Sequence, residues 1–243
     1  MANWNEPDQT RQNFGSVPRA GGATSVTYDE GLRSYMLSIY NYMGSAVLLT
    51  GIVALASAMS GLTLAIAGTP LFWVVALAPL GFILAINFGL NKMSKGTLNV
   101  LFWSFAVVFG ISMSTIFLTY SGDSNALTFF ATAGAFAGLS LFGYTTKKDL
   151  SGFGSFLIMG LIGIIIAMVL NFFLQSGTLA FVISVLGGLI FAGLTAYDTQ
   201  RLKQQYAYLR GTEYIVIAVI LVELSRYLDF VNMFMFLLQF LGS

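Results

Sequence analysis

The chain has 243 residues, of which 57% are hydrophobic and only 9% are charged, with 11 basic against 10 acidic side chains and a formal net charge of +1. A soluble domain carries roughly 25% charged residues, so this chain cannot clothe a water-exposed surface, and lipid is the solvent for much of it. It has no cysteine and no histidine, which excludes disulfide frameworks, thiolate nucleophiles, imidazole bases and nearly all zinc sites, and its balanced charge gives no footprint for nucleic acid.

Residues Met1 to Thr27 mix Gly, Pro, Asn, Ser and Thr with scattered charge and lack the apolar stretch of a cleavable signal peptide. They read as a flexible polar tail, residues 1–30, ahead of a single membrane domain, residues 31–243. Apolar stretches then recur at the length of about 20 residues that a membrane-crossing helix needs. They run from Arg33 to Met59, Leu71 to Leu90, Thr97 to Tyr120, Ala126 to Tyr144, Phe153 to Leu174, Leu179 to Tyr197 and Tyr214 to Leu241. Their separators are short and turn-like, save for a longer polar connection from Thr199 to Glu213. Leu62 to Thr69 is itself apolar and extends one or other of the helices beside it. The expected fold is all-α, with seven transmembrane spans.

Basic residues near span ends favour the cytoplasmic side. Arg11, Arg19 and Arg33 precede span one, Lys92 and Lys95 follow span two, Lys147 and Lys148 follow span four, and Arg201, Lys203 and Arg210 follow span six. The alternate connections hold none. This one-sided pattern predicts a multi-pass protein with a cytoplasmic N-terminus and an external C-terminus. Trp73, Trp103 and Tyr120 lie near span ends as interfacial anchors.

An ionisable side chain within hydrocarbon is costly and usually faces a protein interior or a water path. Asp198 ends span six, and Glu223, Arg226 and Asp229 lie in span seven. At 100° per residue the last three share one helix face, so that Arg226 can reach either acid. An internal salt bridge and a functional polar path both satisfy that spacing. Asp198 either faces water beside Arg201 or packs on a neighbour along the stripe Gly187, Phe191, Leu194. Gly187, Gly188, Ala192 and Gly193 supply small residues for close helix approach.

Tyr197-Asp198-Thr199-Gln200, followed by Tyr227-Leu228-Asp229-Phe230-Val231-Asn232-Met233-Phe234, resembles the paired motif of the Bax inhibitor (transmembrane Bax inhibitor motif) family in its bacterial branch. Lys147-Lys148-Asp149-Leu150-Ser151, Asn171-Phe172-Phe173 and Pro79-Leu80-Gly81 add to the resemblance, which covers Glu30 to Ser243. It implies a seven-helix bundle with a central helix surrounded by the others, acting as a pH-sensitive calcium leak in the cell (inner) membrane. Asp198 and Asp229 take the family's pH-sensor positions. Two carboxylates in contact at low dielectric share a proton, and their oxygens also suit Ca²⁺ as the transported ion. Relatives place an arginine latch near the end of span two, where Asn87 to Lys95 holds none. Lys92 or Arg226 is the substitute, and Glu223 stands in for an acid missing from Gly81 to Gly89.

The expected protein is therefore not an enzyme and needs no cofactor. Its partners are the bilayer, protons and calcium. Three other readings stay open. The chain can be a regulatory membrane protein whose tail binds a membrane protease or a stress- or death-pathway partner. It can be an intramembrane aspartyl protease, although Arg226-Tyr227-Leu228-Asp229 departs from the Gly-x-Gly-Asp of those enzymes. Or it can be a proton-coupled transporter, for which no internal repeat argues.

Overall fold

The computed structural model describes residues 21–89, 93–209 and 215–242. Among them lie nine helices and no strand: α1 (Gly21–Met59), α2 (Leu62–Ile66), α3 (Pro70–Gly89), α4 (Lys95–Met113), α5 (Ile116–Thr119), α6 (Gly122–Thr145), α7 (Ser151–Leu174), α8 (Gly177–Leu209) and α9 (Ile215–Leu241). Six helical segments are long and apolar enough to cross a membrane: α1 from Glu30, α3, α4 continued through α5, α6, α7 and α8 to Tyr208. The chain is thus a multi-pass, all-helical membrane protein. At 27 residues α9 is also long, but Glu223, Arg226 and Asp229 interrupt its apolar run and it stands outside those six.

Several boundaries differ from the sequence expectation. Helix α1 already includes Gly21, so it overlaps the tail expected over residues 1–30, of which residues 1–20 lie outside the described part. The ambiguous apolar segment after span one extends neither neighbour. It forms the separate helix α2, bracketed by Gly61 and Gly68 at φ 75° and 79°, a left-handed conformation that glycine adopts without a Cβ clash. Span three breaks at Ser114 and Thr115 into α4 and α5.

The polar connection expected from Thr199 is helical as far as Leu209. Its composition hid an inward face. Leu202 and Tyr206, four residues apart, are buried against Leu32, Tyr35, Met36 and Ile39 of α1, so tertiary burial holds a segment whose other positions are polar.

Helix α9 packs against α8, α1, α6 and α4, and α8 packs against α9, α6, α7 and α1. Helix α7 rests on α8, and α3 chiefly on α4. Their remaining surface is apolar, with Phe156, Met159, Ile166 and Phe173 of α7 and Trp73, Leu77 and Phe88 of α3 exposed, as suits contact with lipid chains. Inside, Tyr227 of α9 is fully buried, and its ring meets Phe102, Phe105 and Phe109 of α4 edge to face. Its hydroxyl lies 2.7 Å from Thr50 Oγ1, which donates to the Ala106 carbonyl at 2.9 Å. One polar chain therefore ties α9, α1 and α4.

Pro79 lies within α3 and has no N–H for the carbonyl of Val75, four residues earlier. The Ser112 hydroxyl of α4 donates to that carbonyl instead. The orphan acceptor that proline creates becomes an interhelical bond, as a backbone carbonyl in a membrane-crossing helix requires.

Candidate functional site

The charged residues meet because small residues let α8 approach its neighbours. A Cβ on Gly187 would stand 2.6 Å from the Phe236 ring of α9, and one on Gly193 would stand 2.8 Å from Leu157 of α7. On α6, a Cβ on Gly143 would strike the Ala196 carbonyl oxygen. The small-residue reading of Gly187 and Gly193 holds, whereas a Cβ on Gly188 would meet only ordinary contacts near 3.8 Å. Phe191 and Leu194 are buried, so the stripe leading to Asp198 packs inward.

At the end of that stripe Arg226 is 3% exposed and holds two acids. Its Nη2 lies 2.6 Å from Asp198 Oδ2 of α8, and its Nη1 lies 3.6 Å from Asp229 Oδ2, one turn along α9. The first is a strong charge-assisted contact, while the second is too long for a hydrogen bond. Nη1 also donates to the Thr195 carbonyl at 3.3 Å. Asp198 is 18% exposed at its side chain rather than solvated beside Arg201, which is itself exposed.

The two aspartates expected to share a proton are thus joined through a guanidinium, with no hydrogen bond between them among the described residues. Of the two acids within reach on α9, Arg226 takes Asp229. Glu223 is 2% exposed and has no ion pair or hydrogen bond among the described residues. It lies close enough to Tyr35 of α1 to act on its phenol electrostatically, and the Tyr35 hydroxyl is buried without a hydrogen-bond partner. Lys92, the other candidate latch, lies outside the described residues. No group of three acidic side chains comes together among the described residues, so any cation near Asp198 and Asp229 competes with Arg226 for two carboxylates.

Of the residues that frame this cluster, Thr199 and Gln200 stand in the sequence motif without a role of their own, and Tyr40 is not singled out by the sequence. Tyr40 and Thr199 hydroxyls lie 3.1 Å apart, linking α1 to α8. Gln200 is buried. Its Oε1 accepts from the Leu150 amide at 2.9 Å and its Nε2 donates to the Lys148 carbonyl at 2.7 Å. The two sequence motifs at Tyr197–Gln200 and Lys147–Ser151 are therefore one structural unit. Within it, Asp149 Oδ1 accepts from the Ser151 hydroxyl at 2.6 Å and its amide at 2.9 Å. The Ser151 hydroxyl, and then its amide, hold the Asp149 carboxyl below the usual carboxylate range. Lys203 donates to the Tyr144 carbonyl at 3.2 Å near the end of α6, where cations complement the helix terminus.

A cavity of about 340 Å³ lies elsewhere, between α1 and α6 and floored by Phe230, Val231 and Phe234. Apart from Thr50 and Asn125 its walls are apolar.

With both acid motifs placed, residues 32–243 match the family described as Inhibitor of apoptosis-promoting Bax1. The chain belongs to the Bax inhibitor family. It is 45% identical to an uncharacterized protein of Caulobacter vibrioides over 94% of this chain and 95% of that one. It is 42% identical to the protein RP147 of Rickettsia prowazekii, over 89% and 92% of the two chains. The inner membrane protein YbhL of Escherichia coli is 40% identical, over 88% and 93%. The family match spans α8 and α9 whole, and so includes the cluster in which this Bax inhibitor family member sets Arg226 between Asp198 and Asp229.

Proposed function

We propose that this protein is a proton-regulated cation leak of the inner membrane, passing calcium, with Asp198, Asp229 and Arg226 as its gate. In this reading α9 is the seventh span and the central helix, packed on four others. Its N-terminus is cytoplasmic, in keeping with Arg33, Lys95, Lys147, Lys148, Arg201 and Lys203 at one set of helix ends. The observation that carries the proposal is the single buried guanidinium held by aspartates from two helices.

The chemistry follows from charge. While both carboxylates are ionised they hold Arg226, and the tethered cation fills the place a mobile cation would take. Acid neutralises one carboxylate of the pair and weakens its hold on the guanidinium, and the carboxylate that stays ionised is then open to a calcium ion. Protons and calcium thus act on the same two side chains, without a histidine. Similarity to YbhL supports the inner membrane as the location. The guanidinium between the acids also takes the position that a hydrolytic water held by both would need, which favours a leak over an aspartyl protease.

Calcium entry into dye-loaded proteoliposomes, followed from neutral to acidic pH, tests the reading. The intact chain should leak faster on acidification, and Asp198→Asn and Asp229→Asn should flatten that response. A pH response identical to that of the intact chain in both variants would remove the gate assignment.

A further inference from the structure

Helix α6 buries Asn125, Thr128, Thr132, Phe136, Ser140 and Gly143. The spacing of three and four residues places all six on one face. Its opposite face, including Leu127, Phe130 and Leu141, is exposed and apolar. A helix in lipid would be expected to bury its bulkiest apolar side chains against its neighbours or leave them in lipid indifferently. This one instead turns an amide and three hydroxyls inward, against α8 and α9.

A hydroxyl in a membrane helix ordinarily satisfies itself on the carbonyl four residues earlier. Thr132, Thr145, Thr195 and Thr199 all do so here, at 2.7 to 2.8 Å. Thr128 and Ser140 do not. The Thr128 Oγ1, the Ser140 Oγ and the Asn125 Oδ1 are buried with no hydrogen-bond partner among the described residues, and so are Arg226 Nε and Asp229 Oδ2 of α9. Tyr35 on α1 supplies the one other such side-chain atom among the described residues. Unpaired buried polar atoms are costly, and each calls for an explanation such as water or an ion. Asp229 Oδ2 has its ion pair with Arg226, and the other four, on two packed helices, fit a polar file that water or a hydrated cation enters.

One aromatic contact interrupts the file. Phe136 lies between Thr132 and Ser140 along α6, and its ring packs on Phe230 of α9 at 5.5 Å and on Tyr40 of α1 at 6.4 Å, both edge to face. Phe230 directly follows Asp229, so motion at the charged cluster acts on the aromatic plug through one peptide unit. A hydrophobic constriction between two polar segments closes a pore by excluding water.

We infer that Asn125, Thr128 and Thr132 line the external limb of the ion path, that Phe136 on Phe230 is its plug, and that Ser140 lies beyond the plug. Hard cations are the permeant class, since amide and hydroxyl oxygens are their ligands. The inference rests on the leak reading and gives it a route.

The natural chain contains no cysteine, so single cysteines can be introduced without background. Thr128→Cys, Thr132→Cys and Ser140→Cys are placed in proteoliposomes and exposed from the external face to a membrane-impermeant, charged methanethiosulfonate, with Leu127→Cys and Leu141→Cys as lipid-facing controls. Cysteines at positions 128 and 132 should react and modification should lower calcium flux several-fold. The cysteine at 140 should react only when Phe136→Ala is also present, a change that should itself raise the basal leak several-fold. Unreactive cysteines at 128 and 132 in a chain that leaks would overturn this route and leave the leak standing. Reactive cysteines in a chain that passes no ion would overturn the leak reading and the permeation role together, because labelling is read independently of flux.

Discussion

Replacing Arg226 by Gln removes the only positive charge paired with Asp198 and Asp229 among the described residues, where Glu223, Arg226 and Asp229 are the sole buried charged side chains. Breaking a buried pair by deleting one partner typically costs about 3–5 kcal/mol, because the other charge is left uncompensated. Here the lower end applies. Asp198 keeps 18% of its side-chain exposure and regains some solvation, and Asp229 at 3.6 Å contributes less than a contact at hydrogen-bond distance. The expected loss is therefore about 3 kcal/mol in reversible denaturation in detergent micelles. Arg226→Lys should cost less than Gln, because it keeps the charge but loses the planar fork that reaches two partners. A double-mutant cycle isolates the pair. With Arg226 already Gln, Asp198→Asn should cost little, giving a coupling of about 2 kcal/mol. Additive losses would show that Asp198 and Arg226 do not act as a pair, and the gate would lose its latch.

Thr50→Val should orphan the buried Tyr227 hydroxyl and cost about 1–3 kcal/mol, with most of it recovered in the Thr50→Val/Tyr227→Phe double variant, measured by the same denaturation. Gly143→Val should abolish the monodisperse peak in size-exclusion chromatography, because its side chain would strike the Ala196 carbonyl; Gly134→Val, where a Cβ meets nothing within 4 Å, should leave it intact. The Asp149 carboxyl should titrate below the ordinary carboxylate range in carbon NMR, and Ser151→Ala should raise its midpoint. Because its folded pKa is the depressed one, the Asp149 turn supports the start of α7 at neutral pH and loses that support as the pH falls through the folded value.

Membrane class was legible from composition, because lipid solvation leaves too few charges to mistake. Two motifs singled out Asp198 and Asp229, and the close approach of α8 was legible from Gly187 and Gly193. The helical extension to Leu209 was not. Its polar residues outnumber Leu202 and Tyr206, and only the apolar patch on α1 gives those two somewhere to go. Nor was α2 legible, since an apolar segment continues a helix or breaks from it according to turns that Gly61 and Gly68 allow but do not require.

The cluster itself shows the division most clearly. Helix geometry puts Glu223 and Asp229 at equal spacing on either side of Arg226, so local sequence determines that a buried arginine has an acid within reach and leaves the choice open. Packing makes the choice. Close contacts at Gly187 and Gly143 set α8 against α9 and α6, and Asp198 then meets the guanidinium that also reaches Asp229, while Glu223 is left without an ion pair among the described residues. Burial in lipid is a property summed over single residues and so is written in the chain. A charge's partner depends on which helix faces it, and that is decided only when the helices pack.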